Sequence, residues 1–250
     1  SEIVLKKIKR LNKKYFIIDF SKNNKFKKDK DSHRVSIGKF GKIINLIKKN
    51  KSKKVLFAGK IAKPKFSTLR LDLKGIYYMP SVIKAAKSGD AAIIKAIIKI
   101  LENENIKVIS SNFFNPELSL KTGNYTKLKP NTEDINSIKK GISYFNKLNS
   151  LDHIQALIVS DKKIIATEGN QGTKKMLSKL KKTYGGILIK LPKKKQDLRM
   201  DLPTIGLNTL KDCKKIGLKG VVLKSKKNIF LDKSKCINFA NRNKIFIKII

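Results

Sequence analysis

What most limits the folds open to this chain is a recurring pattern of short, nearly continuous apolar runs, each set apart from the next by a stretch with helical spacing. The runs are YFIIDF (15–20), KKVLFAG (53–59), IKVISS (106–111), IQALIVS (154–160), GILIK (186–190), GVVL (220–223) and KIFIKI (244–249). A strand that alternates apolar and polar residues keeps one face in water, whereas a strand that is apolar throughout has both faces covered, usually by helices. Strands alternating with helices predict an α/β chain. Helices are expected at 2–14, 38–50, from Asp90 as N-cap to about Glu104, at 133–148 and at 173–183. Two more are expected ahead of strands 220–223 and 244–249. A polar, lysine-rich loop is expected from the first strand to about residue 35, and the runs 154–160 and 163–169 read as a hairpin turning at Asp161 and Lys162. TGNYTKLKPNTED (122–134) is rich in turn formers and lacks an apolar period. That places a domain boundary near Pro130 and gives two units, 1–128 and 131–250.

With 250 residues and 40% hydrophobic content, the chain can bury a sizeable core, and its length suits one large or two ordinary domains. No apolar run approaches the ~18 residues that a membrane span needs, so membrane contact is expected to be peripheral. The opening residues, SEIVLKKIKRLNKK, fit neither a signal peptide nor a transit peptide. Cys213 and Cys236 stand far apart with no CxxC spacing and no histidine cluster. They are expected to be reduced, structural thiols of a cytoplasmic protein. His33 and His153 stand in no recognisable catalytic arrangement.

A formal charge of +41 invites a nucleic-acid reading. Its distribution argues against one. Only Arg10, Arg34, Arg70, Arg199 and Arg242 are arginine; the other basic residues are lysines dispersed over the whole chain, a solvated surface with no recognised nucleic-acid module. Where lysine is the default cation, a retained arginine marks a place where a planar, bidentate fork matters.

Arg199 lies in KKKQDLRMDLPTIG (193–206), where two of the chain's 18 acidic residues, Asp197 and Asp201, flank it. Pro192 and Pro203 bracket the stretch and disfavour a regular helix, so it reads as a loop leaving the strand 186–190. Loops at the carboxyl ends of strands are where α/β folds bind ligands. Two aspartates around an arginine can hold a hard cation such as Mg²⁺ while the guanidinium grips a phosphate. The structural alternative is that both aspartates are helix caps or lysine partners.

Company sharpens the motif. LDHIQALIV (151–159), ATEGNQGTKKML (166–177), GILIKLPKKKQDLRMDLPTIGLNTL (186–210) and GLKGVVL (217–223), with VLFAGKIAKP (55–64), LRLD (69–72) and GDAAIIKAI (89–97) before them, are similar to the LpxI family of UDP-2,3-diacylglucosamine pyrophosphatases of lipid A biosynthesis. The resemblance implies two α/β domains, an N-terminal Rossmann-like parallel-sheet domain acting as a lid and a C-terminal mixed-sheet catalytic domain, with the active site between them. It implies Mg²⁺-assisted attack of water on the pyrophosphate, giving UMP and 2,3-diacylglucosamine 1-phosphate. Asp197, Arg199 and Asp201 would be catalytic, with Asp197 and Asp201 holding the metal. Substrate contacts would come from Gly59, Lys60, Pro64, Gln155, Glu168, Gly169, Gly172, Thr173, Lys190, Gln196 and Thr204. The partners implied are a lipidated UDP-sugar and an anionic membrane surface, no nucleic acid, with self-association left open. The location implied is the cytoplasm, at the inner face of a bacterial inner membrane.

Family members open with a strand and a glycine-rich turn resembling IAGxGxLP, so such a strand and turn are expected ahead of residue 1. Where the family has GDD, EGTD and DxGQ, this chain has Gly89-Asp90-Ala91, Gln171-Gly172-Thr173-Lys174 and Asp152-His153-Ile154-Gln155, and two carboxylates are absent. Two competing readings follow: a sugar-nucleotide binder without catalysis, and a basic nucleic-acid-binding protein. Individual residues also have plain alternatives. Glu168 can orient a metal-bound water or cap the next turn; Gln155 can bond substrate or satisfy backbone; Lys190 and Lys195 can touch phosphate or water; and Gly172 and Thr173 can offer helix N–H groups to an anion or be an ordinary helix start.

Overall fold

The computed structural model describes residues 2–21, 23–59, 64–148, 154–169, 171–182, 185–193, 197–200 and 202–250. It divides into two compact units, Ser1–Asn115 and Pro116–Ile250. This division falls earlier than the boundary expected near Pro130. Residues after Pro116 are tied into the second unit: Ser119 Oγ donates to the Asn228 carbonyl at 2.7 Å, and the Tyr125 N–H to the Ile247 carbonyl at 2.9 Å. Turn-rich composition marked the segment as irregular, not as unattached.

In the first unit α1 (Glu2–Arg10) buries Val4 and Ile8, one turn apart on one face. Strand β1 (Ile17–Asp19) pairs in parallel with β2 (Ser32–Arg34), which lies within the expected lysine-rich loop. Ser32, His33 and Arg34 form no apolar run, so only backbone pairing makes this a strand. Buried Asp19 organises the intervening turn, accepting the Ser21 N–H at 2.7 Å and the Phe26 N–H at 3.2 Å. Next, α2 (Phe40–Lys49) buries Phe40, Ile44 and Ile47. Strand β3 (Lys54–Leu56) pairs in parallel with a strand far along the chain, β4 (Lys107–Ile109). Between them lie α3 (Leu73–Lys87) and α4 (Asp90–Asn103). The N-cap of α4 is Gly89, at φ 109°, in place of the expected Asp90. A backbone in that region suits glycine. Asp90 takes the first helical position, where its charge still suits the positive end of the helix dipole.

No apolar periodicity announces α3: it carries Pro80 inside it and apolar residues all round. Its start is fixed by Asp72, whose carboxylate accepts the Gly75 N–H of α3 at 2.8 Å and the Gly41 and Lys42 N–H groups of α2 at 3.1 and 3.0 Å. One side chain thus caps two helices. Burial alone would push this carboxyl up, but the three N–H groups hold it below the usual carboxylate range. At the far end of α4, Glu104 binds Lys48 of α2 at 2.6 Å, Lys74 of α3, and the Tyr78 hydroxyl of α3 at 2.9 Å.

The second unit is built on a six-stranded mixed sheet. In chain order its elements are β5 (Gly123–Asn124), α5 (Thr132–Lys147), β6 (Ala156–Ser160), β7 (Lys163–Thr167), α6 (Gly172–Lys179), β8 (Ile187–Lys190), β9 (Thr204–Ile205), α7 (Leu207–Lys215), β10 (Gly220–Leu223), β11 (Ile229–Phe230), α8 (Lys233–Arg242) and β12 (Phe246–Ile249). The sheet order is β5-β12-β10-β8-β6-β7, and β9 pairs separately with β11. The apolar runs form its centre: every residue of β6 and of β10 is buried. Removing each of their Val, Leu and Ile side chains from water contributes about 1.5–3 kcal/mol before chain entropy is set against it. The hairpin turns where expected, with Asp161 at φ 47° and Lys162 at φ 60°, the left-handed pair that matches strand twist in a two-residue loop. A reciprocal capping box between Asn131 and Asp134 starts α5.

Both cysteines are free and buried. Burial, with Asp212 adding to it, pushes the Cys213 thiol up to about 12; burial and Asp232 push Cys236 up to about 11. Neither forms a thiolate near neutrality, in keeping with structural thiols.

Candidate active site

Strand direction decides which residues meet. Strands β8, β10 and β12 run parallel, and β6 runs antiparallel to both β7 and β8, so the carboxyl ends of β7 and β8 lie at the same edge as the amino end of β6. Three candidates arrive there: Gln155 just before β6, Glu168 just after β7, and Lys190 closing β8.

They are joined in one chain of hydrogen bonds. Glu168 is buried; it accepts the Gln155 main-chain N–H at 2.7 Å on one oxygen and the Thr173 hydroxyl at 2.7 Å on the other. The Lys190 ammonium donates to Thr173 Oγ1 at 3.0 Å and to the Thr204 carbonyl at 3.3 Å. An ammonium donating to a hydroxyl that in turn donates to a carboxylate polarises every bond of the series. Gln155 contributes through its backbone: its N–H serves Glu168, and its carbonyl accepts the Leu191 N–H at 2.9 Å.

Local sequence explains the placement. Gly172 sits at φ 82°, a region that favours glycine, and opens α6, so Thr173 falls in the first turn of that helix with its hydroxyl on Glu168. A carboxylate beside a helix start is favoured by the helix dipole. Glu168 thus meets the start of α6 through the Thr173 hydroxyl. Gly169 is exposed, and a Cβ there would meet nothing within 4 Å, leaving open space beside Glu168.

The chain between β8 and β9 carries the DxRxD stretch. Lys190 and Thr204 are its two ends, and their hydrogen bond pins it shut at the base. Within it, Asp197 accepts the Arg199 backbone N–H at 3.0 Å and the guanidinium from two sides, Nε at 3.0 Å and Nη2 at 2.8 Å. Arg199 thus spends its fork on Asp197. Asp197 keeps 15% of its side-chain surface and Arg199 keeps 39%, so the pair still faces solvent. Asp201, Gln196 and Lys195 lie outside the described residues, as do Lys60 and His153.

Gly59, exposed at φ 113°, and Pro64, half-buried, belong to the first unit, where they flank the segment after β3. Among the described residues no three His, Cys, Asp or Glu side chains gather as a cation site, and no helix is long and apolar enough to cross a membrane.

Known proteins align with both units. Residues 1–118 match the model of the LpxI N-terminal domain, and residues 121–248 that of the LpxI C-terminal domain. The UDP-2,3-diacylglucosamine pyrophosphatase LpxI of Caulobacter vibrioides is 30% identical over 223 residues, an alignment covering 85% of this chain and 80% of that protein.

Proposed function

Because the chain belongs to the LpxI family, we propose that it hydrolyses the pyrophosphate bond of UDP-2,3-diacylglucosamine, releasing UMP and 2,3-diacylglucosamine 1-phosphate. The observation that carries this reading is the loop of Asp197 and Arg199, pinned at its base by Lys190, whose ammonium is itself fixed by Thr173 and Thr204. Pyrophosphate cleavage needs positive charge held where negative charge develops, and preorganised donors supply it without rearrangement during the reaction. Lys190 is such a donor. Arg199 holds the Asp197 carboxylate in a fixed orientation, and Glu168 sets Thr173, which sets Lys190.

Mg²⁺ belongs to this proposal. The ion typically takes one or two carboxylates and completes its shell with water and phosphate oxygens; Asp197, with Asp201 four residues on in the sequence, would hold it, and when bound it would neutralise charge on the pyrophosphate. A lipidated substrate also implies work at a membrane surface, here the cytoplasmic face of an inner membrane.

UMP release from the diacylated UDP-sugar, with and without Mg²⁺, tests the proposal. Asp197→Ala is expected to lower turnover by about 10³-fold while substrate binding persists, since its contribution lies in the transition state. Near-normal turnover of that variant, or binding of the UDP-sugar with no UMP released by the unaltered chain, would sink it; the second outcome describes a binder that has lost catalysis.

A further inference from the structure

The exposed side of α3 is apolar. Leu73 is 86% exposed, Tyr77 77%, Ile76 60% and Ile83 40%. At about 100° per residue these four fall on one arc of the helix, and the opposite arc, Gly75, Met79 and Val82, is buried. The first unit is thus already served by the inward side, and packing leaves the outward side unexplained. A contiguous exposed apolar face marks an interaction surface, whereas scattered single residues do not.

Its ring is held in place. Tyr77 meets Tyr78 edge-on, with ring centroids 4.9 Å apart, and the Tyr78 hydroxyl is fixed on Glu104 at 2.9 Å.

The surrounding charge selects the partner. No acidic residue occurs in α3, and the two carboxylates that bond to it are engaged: Asp72 by three N–H groups, Glu104 by Lys48, Lys74 and Tyr78; exposed Asp90 follows its carboxyl end as the first residue of α4. Exposed Lys84 and Lys87 follow the apolar arc at its carboxyl end. At its amino end Leu73 borders an open cavity of about 600 Å³ that Lys42 and Lys49 also line. A second copy of a chain with net charge +41 would be repelled from such a face, while a negatively charged bilayer would be drawn to it.

We propose that this face of α3 seats the protein on an anionic lipid surface, with Leu73, Ile76 and Tyr77 entering the headgroup boundary and lysines at both ends of the helix meeting the headgroups. The inference rests on the lipid-substrate reading above, and it assigns that reading's membrane contact to one helix. Apolar side chains at the interface with cations around them are the standard chemistry of peripheral attachment.

The sequence contains no tryptophan, so Leu73→Trp gives a single reporter at the amino end of the face. With vesicles of equal parts phosphatidylcholine and phosphatidylglycerol, its emission is expected to shift to the blue and to be quenched by brominated lipid. With phosphatidylcholine alone the response should be weak. The double variant Leu73→Ser with Tyr77→Ser is expected to bind the mixed vesicles at least about tenfold more weakly, since apolar burial sets interfacial affinity. Its melting temperature and its turnover of a short-chain, water-soluble substrate should be unchanged. The inference is overturned if the reporter ignores vesicles, if the double variant binds them as the unaltered chain does, or if short-chain turnover falls as far as vesicle binding. A blue shift that grows with protein concentration in the absence of lipid overturns it too, because the occupant is then a second copy. Should the unaltered chain release no UMP from the short-chain substrate, the functional reading fails, and the vesicle measurements still decide this one.

Discussion

Glu104 and Glu168 are both taken largely out of water in a chain with 18 acidic and 59 basic residues, yet the two units treat them differently. In the first unit Glu104 receives two ammonium groups and a phenol, and its carboxyl is pulled from the ordinary 4.5 to about 2 by Lys48 foremost, then Lys74 and Tyr78. Its charge is used to fasten α2, α3 and the end of α4 together. In the second unit Glu168 receives a main-chain N–H and a hydroxyl, and the nearby ammonium of Lys190 reaches it through Thr173. The first arrangement is a clip; the second is a set of spacers that fixes where a cation stands. Direct pairing with lysine is the easiest fate for an acid in this chain. An acid held by neutral donors beside an oriented lysine is the arrangement on which the proposed chemistry draws.

The largest expected effect breaks the comparison at its two lysines. Lys190→Met is expected to lower kcat/KM about 10²–10³-fold, the usual result of removing one preorganised donor, whereas Lys48→Met leaves it within about twofold. Steady-state kinetics of the two variants side by side read the difference, and equal losses would erase the distinction drawn here.

Next comes Glu168→Ala. It strips the acceptor from the Gln155 N–H and the Thr173 hydroxyl, and buried donors without partners cost about 1–3 kcal/mol. Chemical denaturation should show that loss, and because Thr173 then ceases to direct Lys190, kcat should fall further than KM changes.

Arg199→Lys follows. It keeps the charge and replaces a two-sided grip on Asp197 by a point contact, and is expected to lower kcat/KM about tenfold, equivalent to about 1.4 kcal/mol. Wild-type efficiency would mean that the guanidinium has no special task.

Glu104→Gln is the smallest. Its lysine partners are 53% and 41% exposed, so solvent screens the pairs and the loss stays under about 1 kcal/mol, a few degrees of melting temperature. The sign of its pH dependence follows from the depressed carboxyl. A group that binds its proton more weakly when folded stabilises the fold above its ordinary range and loses that contribution as pH falls through the folded value. The gap in melting temperature between wild type and variant should be constant above 4.5 and close as pH drops toward about 2. A gap that widened on acidification would contradict the assignment.

Legibility in the sequence varied with the kind of force at work. The hairpin at Asp161 and Lys162, the central strands β6, β8 and β10, and the helices covering them could all be read, because each is set by local pattern. Strand β2 could not, since Ser32-His33-Arg34 is a strand only by pairing with β1. Helix α3 could not, since its apolar residues face both inward and outward and blur the helical period, and Pro80 reads as a breaker. Of the candidate site, Gln155, Glu168, Thr173, Lys190 and Thr204 were named one by one from the family resemblance. That they form one hydrogen-bonded series was not visible, although each lies at the end of a strand or the start of a helix, a signal that could have grouped them.

The sequence alone determined the α/β class, the apolar strands, the turn between β6 and β7, and the choice of arginine at position 199, because composition and period act over a few neighbours. Tertiary structure alone decided that Asp197 receives the Arg199 fork, that Lys190 closes the base of the loop against Thr204, and that Glu168 reaches Lys190 through Thr173. Those contacts depend on sheet order and strand direction, which bring residues distant in sequence to one edge, and no local pattern encodes which strand lies beside which.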